Sequence, residues 1–268
     1  MDLTSRSTTA TKFAVALSSI FRGPRLHGDH GTWAAPTSRD TTLNIMRTLP
    51  NVKICCIASV AEARLAMHYG ADALGLVSAM PSGPGPIADE LIAEIAAQVP
   101  PPIATFLLTS LTDAEAIIEQ QRRCATNTVQ LVDAVAPGTH ATLHRALPGI
   151  RIVQVIHVLG EETLGEALKV APHVDALLLD SGNPHLAVKQ LGGTGRVHDW
   201  GVSRRIIATC GKPVFVAGGL RADNIGDAVR TLSPFGVDLC SGVRTGEKLD
   251  ETKLAAFFAA LTAGGVHA

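Results

Sequence analysis

The sequence predicts a single-domain α/β fold, a closed (β/α)8 TIM barrel carrying a flexible N-terminal extension. Three observations predict it. From Asn51 onward, short apolar runs alternate eight times with longer segments of helical spacing. Such alternation implies parallel pairing, because parallel strands need a crossover, and eight units over roughly 210 residues suit a sheet that closes on itself. Hydrophobic residues make up 46% of the chain but aromatics only 4%, so the core is aliphatic, as parallel strands covered by helices require. A doubly wound open sheet is the alternative. It would more often place Gly-x-Gly-x-x-Gly after its first strand, and Cys55-Cys56-Ile57-Ala58-Ser59 is not that pattern.

The elements follow in order. The run Val52–Ile57 precedes a helix over Ala61–Tyr69, with Ser59 placed to cap its start and Gly70 its end. Ala73–Val77 precedes Asp89–Gln98, and Pro100-Pro101-Pro102 stops that helix before Ile103–Leu108. Thr112 sits where the next helix, Asp113–Arg123, should be capped. Thr128–Leu131 then pairs with His140–Ala146, and Arg151–His157 with Glu162–Val170. Val174–Leu179 leads through a long loop to Val202–Thr209. Pro213–Ala217 precedes Asp223–Thr231, and Val237–Cys240 precedes Glu251–Leu261.

The 268 residues divide as residues 1–45, an extension, and residues 46–268, the barrel. The extension has no Glu, many Ser and Thr, and no sustained apolar period. Three readings fit it: an organellar transit peptide, a secretory signal, or an upstream stretch preceding a true start at Met46. The third is favoured, because a strand begins a few residues after Met46. His27, His30 and Trp33 read as incidental residues of a tail rather than a metal site.

Lys and Arg total 23 against 24 Asp and Glu, which speaks against a polybasic nucleic-acid binder. No apolar run reaches the ~20 residues of a membrane span. Five cysteines, at 55, 56, 124, 210 and 240, are sparse and odd in number and lack zinc spacing. They suit a reducing cytoplasm, with no metal expected.

In such a barrel, chemistry sits at the C-terminal ends of the strands. Gly218-Gly219 and Ser241-Gly242 follow the last two strands, where exposed backbone N–H groups often hold a phosphate, and the helix after Gly219 adds its dipole. Gly192-Gly193-Thr194-Gly195 follows the sixth strand. Glycine also serves ordinary turns, but three clusters at one rim favour a phosphate site. Cys55 ends the first strand and shares a face with Lys53, which either lowers its pKa or forms part of a structural layer. A buried cysteine is otherwise just a small hydrophobe. Asp180 ends the apolar run Ala-Leu-Leu-Leu, a costly place for a carboxyl unless it is partnered or used. Gln130 and Asp133 flank the end of the fourth strand, and His157 ends the fifth, where it reads as a hydrogen-bonded rim residue.

Taken in order, Lys53-Ile54-Cys55, Gly70-Ala71-Asp72-Ala73-Leu74-Gly75, Val129-Gln130-Leu131, Leu177-Leu178-Leu179-Asp180-Ser181, Gly192-Gly193-Thr194-Gly195 with Asp199-Trp200, Ala217-Gly218-Gly219-Leu220 and Ser241-Gly242-Val243 resemble the phosphoribosylanthranilate isomerases of tryptophan biosynthesis. The resemblance spans Val52 to Leu261. It implies a cofactor-free Amadori rearrangement of an N-(5-phosphoribosyl) amine to a 1-amino-1-deoxyribulose 5-phosphate. It makes Cys55 the base and Asp180 the acid, with Gly193, Thr194, Gly195, Gly218, Gly219, Ser241 and Gly242 around the substrate phosphate. The implied ligand is a small phosphorylated sugar, and the implied assembly a monomer or homodimer.

The departures from the family pattern cluster at the other side of the rim. Cys56 stands where the family usually has Gly, and Gly85 where it usually has Arg. Val132-Asp133 replace His-Gly, and Arg244 replaces Glu. These changes leave open an isomerase-like paralogue with another amine substituent, or a silent phosphate-binding barrel. Gln130, Asp133 and Arg244 are the candidates around that substituent, Arg244 as a relocated cation.

Overall fold

The structure, a computed structural model, describes residues 49–186, 189, 191 and 199–265. The expectations for residues 1–45, and for Gly193, Thr194 and Gly195, fall outside these.

Eight strands close into one parallel barrel in sequence order: β1 (Asn51–Ile54), β2 (Ala73–Val77), β3 (Ala104–Thr109), β4 (Thr128–Leu131), β5 (Arg151–His157), β6 (Ala176–Asp180), β7 (Val214–Val216) and β8 (Gly236–Leu239). Eight helices alternate with them: α1 (Val60–Tyr69), α2 (Asp89–Ala97), α3 (Ala114–Cys124), α4 (Thr139–Ala146), α5 (Glu162–Val170), α6 (Trp200–Thr209), α7 (Ile225–Leu232) and α8 (Glu251–Gly265). A two-strand ribbon, β9 (Arg244–Thr245) with β10 (Lys248–Leu249), lies between β8 and α8. The open-sheet alternative is excluded, because β1 pairs with β8 along Asn51↔Gly236, Val52↔Val237, Lys53↔Asp238 and Ile54↔Leu239. No described helix is long and apolar enough to cross a membrane.

Side-chain alternation splits the core in two. Ile54, Leu74, Leu76 and Leu107 face outward against the helices, with Ile92, Ile95 and Phe257. Phe106, Leu108, Val153, Val155, Leu178 and Phe215 fill the interior. Space there is tight: a Cβ on Gly236 would lie 2.4 Å from the Phe215 ring.

Local chemistry sets the boundaries. Ser59 accepts from the Glu62 N–H and starts α1, and Gly70, at φ 104°, ends it in the left-handed conformation that glycine tolerates. The cap of α3 is Asp113, whose carboxylate accepts from the Ala116 N–H, not Thr112. The first strand stops at Ile54, not Ile57, because Cys56 turns to φ 62° and breaks the pleat.

The barrel interior also holds a charge pair. Lys53 Nζ lies 2.8 Å from Asp238 Oδ2, and the lysine is fully buried. Burial works against the ammonium, but Asp238, with help from Cys55, holds the Lys53 pKa above its ordinary value. Removing one partner of such a pair strands the other charge. Lys53→Met is therefore expected to cost about 3–5 kcal/mol in urea denaturation, and Lys53→Met/Asp238→Leu to recover most of it. A single variant as stable as the parent would show that the pair does not hold the barrel.

Candidate active site

The C-terminal ends of the strands open into a cavity of about 730 Å³. Cys55, Cys56, Gln130, Asp180, Gly218, Gly219, Asp238, Cys240, Ser241 and Gly242 all line it. The two strand-end groups singled out in the sequence, Cys55 beyond β1 and Asp180 at the end of β6, thus face one space, each over nine-tenths buried.

Cys55 rests on the buried charge pair. A Cβ on Gly75 of β2 would lie 2.9 Å from Cys55 Sγ and 3.0 Å from Lys53 Nζ, so a glycine there lets both atoms crowd the same spot. The Cys56 thiol, 3.9 Å away, and the Lys53 ammonium draw the Cys55 thiol below its ordinary pKa, against the opposing effect of burial. Asp180 moves the other way. Burial, reinforced by the Asp238 carboxylate, raises it to about 6, although the Ser181 N–H donates to it at 2.8 Å. Two groups in one cavity with pKa values pushed in opposite directions are suited to acid–base chemistry.

The glycine turns behave as backbone donors. Gly218 and Gly219 take φ 86° and 65°, and Ser241–Val243 forms a single 3-10 turn. Among the described residues, the amides of Gly218, Gly219, Ser241 and Gly242 donate no hydrogen bond. Gly242 is obligatory, because the Leu220 carbonyl oxygen lies 2.0 Å from where its Cβ would stand. The helix following Gly219, expected from Asp223, starts two residues later. Asn224 first closes a turn, donating to Gly219 O and accepting from the Arg221 N–H, and α7 begins only at Ile225.

The remaining candidates divide. Gln130 lines the cavity, and its buried Oε1 has no partner among the described residues. Arg244 does not supply a cation to the cavity. It is 8% exposed, pairs with Glu62 at 2.9 Å, and donates to the carbonyls of Cys56 and Glu247. Glu62 also accepts from the Ala58 and Leu249 N–H groups, so arginine and glutamate together clamp the turn that carries Cys56. Asp133 lies outside the lining, paired with Lys189, whose carbonyl accepts from Ser82 of the cavity wall. His157 is a rim residue bonded to Val132 O at 3.1 Å, its pKa lowered chiefly by burial. Sequence reading missed Asp238 and Cys240. The signal for Asp238 was a lone acid inside an apolar strand, with a lone lysine inside another.

No group of three or more His, Cys, Asp or Glu among the described residues is placed to hold a metal. Residues 52–260 match the family model for N-(5'-phosphoribosyl)anthranilate (PRA) isomerase. The N-(5'-phosphoribosyl)anthranilate isomerase 2 of Methanosarcina mazei is 35% identical over 77% of this chain and 91% of its own length. The Haloferax volcanii isomerase is 34% identical over 79% and 93%. Among solved structures, the phosphoribosyl anthranilate isomerase of Thermotoga maritima superposes with a TM-score of 0.69 at 25% identity, covering 80% of this chain and 99% of that one. That of Thermus thermophilus superposes at 0.67 and 26%, covering 80% and 98%. A family match that runs from the first barrel strand into the last helix leaves one conclusion: the chain belongs to the N-(5'-phosphoribosyl)anthranilate isomerase family.

Proposed function

We propose that this protein isomerises N-(5'-phosphoribosyl)anthranilate to 1-(o-carboxyphenylamino)-1-deoxyribulose 5-phosphate, a step of tryptophan biosynthesis in the cytoplasm. The observation that carries the reading is the pair of opposed pKa shifts in one cavity, on Cys55 and Asp180.

The chemistry needs two proton transfers at different sugar atoms. An acid protonates the furanose ring oxygen, the ring C–O bond breaks, and the nitrogen lone pair forms the C=N bond of a Schiff base. A base then removes the proton from C2, and the electrons close an enolamine that tautomerises to the ketone. No oxidant or reductant is needed, because C1 is reduced as C2 is oxidised. Asp180, raised to about 6, keeps a protonated fraction near neutral pH and serves as the acid. Cys55 serves as the base, since its lowered pKa favours the thiolate form. The amides of Gly218, Gly219, Ser241 and Gly242, which donate no hydrogen bond among the described residues, suit the 5-phosphate. The unpartnered acceptors Gln130 Oε1 and Asp238 Oδ1 suit sugar hydroxyls.

The anthranilate carboxylate requires a cation, and among the described lining residues there is no Lys, Arg or His. Lys189 supports the role. It stands on Asp133, beside the Val132 wall, and its backbone is tied to Ser82. Lys189→Ala is expected to raise KM for phosphoribosylanthranilate about tenfold, the worth of one charged hydrogen bond, with kcat little changed. Loss of kcat at unchanged KM would remove the lysine from this role.

The reading is tested by the loss of anthranilate-type fluorescence on turnover. Cys55→Ala is expected to lower kcat by about 10²–10⁴-fold with the barrel intact. Substantial residual turnover would reject Cys55 as the base. Asp180→Asn is expected to abolish turnover and also to stabilise the fold. A carboxyl raised from 3.8 to about 6 binds its proton more tightly folded than unfolded. Stability therefore falls as pH rises from ~4 through ~6, by up to about 3 kcal/mol at ~1.4 kcal/mol per pKa unit. The stabilisation by Asp180→Asn should be largest above pH 6 and shrink towards pH 4 in urea denaturation. A gain independent of pH would mean that the carboxyl is not strained by burial.

A further inference from the structure

Beside the candidate base lie two more thiols for which the reaction has no use. Cys56 Sγ is 3.9 Å from Cys55 Sγ, 2.8 Å from Cys240 Sγ and 3.5 Å from the Pro84 carbonyl oxygen. Cys56 and Cys240 both line the cavity, and Cys56 is buried. We propose that Cys56, backed by Cys240, is a positioning residue for proton abstraction: its S–H is directed at Cys55 Sγ and favours the thiolate there. The proposal rests on Cys55 being the base.

Several features converge on this arrangement. A thiol carries one proton. Either thiol of the Cys56–Cys240 contact can be the donor, and the Cys56 proton has Cys240, the Pro84 carbonyl and Cys55 in reach. Once Cys55 ionises, it is the strongest acceptor in reach, because a hydrogen bond to a charged group is roughly twice as strong as a neutral one. Cys56 itself stays protonated. Its bonds with Cys240 and Cys55, and its burial, hold it well above the ordinary thiol value. The donor and the base are therefore separated by environment, although they are neighbours in sequence.

The backbone is arranged for it as well. Cys56 occupies the left-handed region at φ 62°, which a residue with a Cβ adopts only when its surroundings enforce it. Arg244 enforces it by donating to the Cys56 carbonyl while paired with Glu62. The facing loop leaves room: a Cβ on Gly85 would lie 2.6 Å from Cys56 Cβ. A strained backbone, a buried clamp and a glycine packed directly against Cys56 all serve to place one side chain.

The experiment measures two pH profiles in the full chain. One is kcat/KM for phosphoribosylanthranilate. The other is the alkylation of Cys55 by iodoacetamide without substrate, followed by mass spectrometry. Cys56→Ala is expected to move both acidic limbs upward by about one unit, with kcat/KM falling about tenfold at pH 7 and recovering at high pH. Cys56→Ser, which restores a donor, is expected to return most of the shift. Cys56→Gly relieves the left-handed backbone and still lacks the donor, so it separates strain from hydrogen bonding: it should melt higher than Cys56→Ala and share its pH profile. An unchanged alkylation profile in Cys56→Ala overturns the proposal. A shifted alkylation profile with an unchanged rate profile overturns instead the assignment of Cys55 as the base.

Discussion

The Lys53–Asp238 ion pair is the interaction on which the rest of the site depends. It spans the seam where the first strand meets the last, and the two residues are register partners there. A lysine with no exposed surface persists only because a carboxylate lies 2.8 Å away. The pair also sits beneath the reacting groups. The ammonium lowers the Cys55 thiol and works against the rise of Asp180, while the Asp238 carboxylate raises both. One interaction thus takes part in closing the barrel and in biasing both groups of the proposed acid–base pair.

The two groups nonetheless end up apart, because their immediate neighbours differ. Asp180 is buried, and desolvation outweighs the hydrogen bonds it receives from Ser181 and the Lys53 charge. Cys55 has a thiol donor and a cation beside it, and these outweigh desolvation. Burial by itself would have raised both and left no base at neutral pH. Water exclusion therefore costs the site nothing in basicity so long as Cys56 and Lys53 remain in place.

The fold was legible because its signals are local. Eight alternations, the Ser59 and Gly70 caps and the glycine turns each depend on a few consecutive residues. Cys55 and Asp180 were legible for the same reason, since a strand end in a barrel is a position readable from sequence. What could not be read are pairings across long separations. Asp238 meets a lysine 185 positions away, and Arg244 meets a glutamate 182 positions away. From sequence, Arg244 is a charged residue at a rim and reads as a ligand for an anion. Only the closed barrel brings Glu62 against it and turns it into a clamp. The first strand is three residues shorter than its apolar run for a related reason: Cys55, Cys56 and Ile57 are apolar enough to extend it, but the clamp bends the chain at Cys56.

Positions 56, 85 and 244 are physically coupled in this structure. Cys56 needs a left-handed backbone, which Arg244 holds through the Cys56 carbonyl. Its side chain then fills the space into which any side chain at position 85 would project, so Gly85 follows from Cys56. With that space closed, a side chain at position 85 cannot reach the cavity without displacing Cys56. Residues so coupled do not contribute additively. A bulky residue introduced at Gly85 alone meets the Cys56 side chain at 2.6 Å and a backbone at φ 85°, whereas the same residue beside a glycine at 56 meets the position-56 Cα at 3.1 Å and the same backbone constraint. The order in which these positions can change is set by that collision.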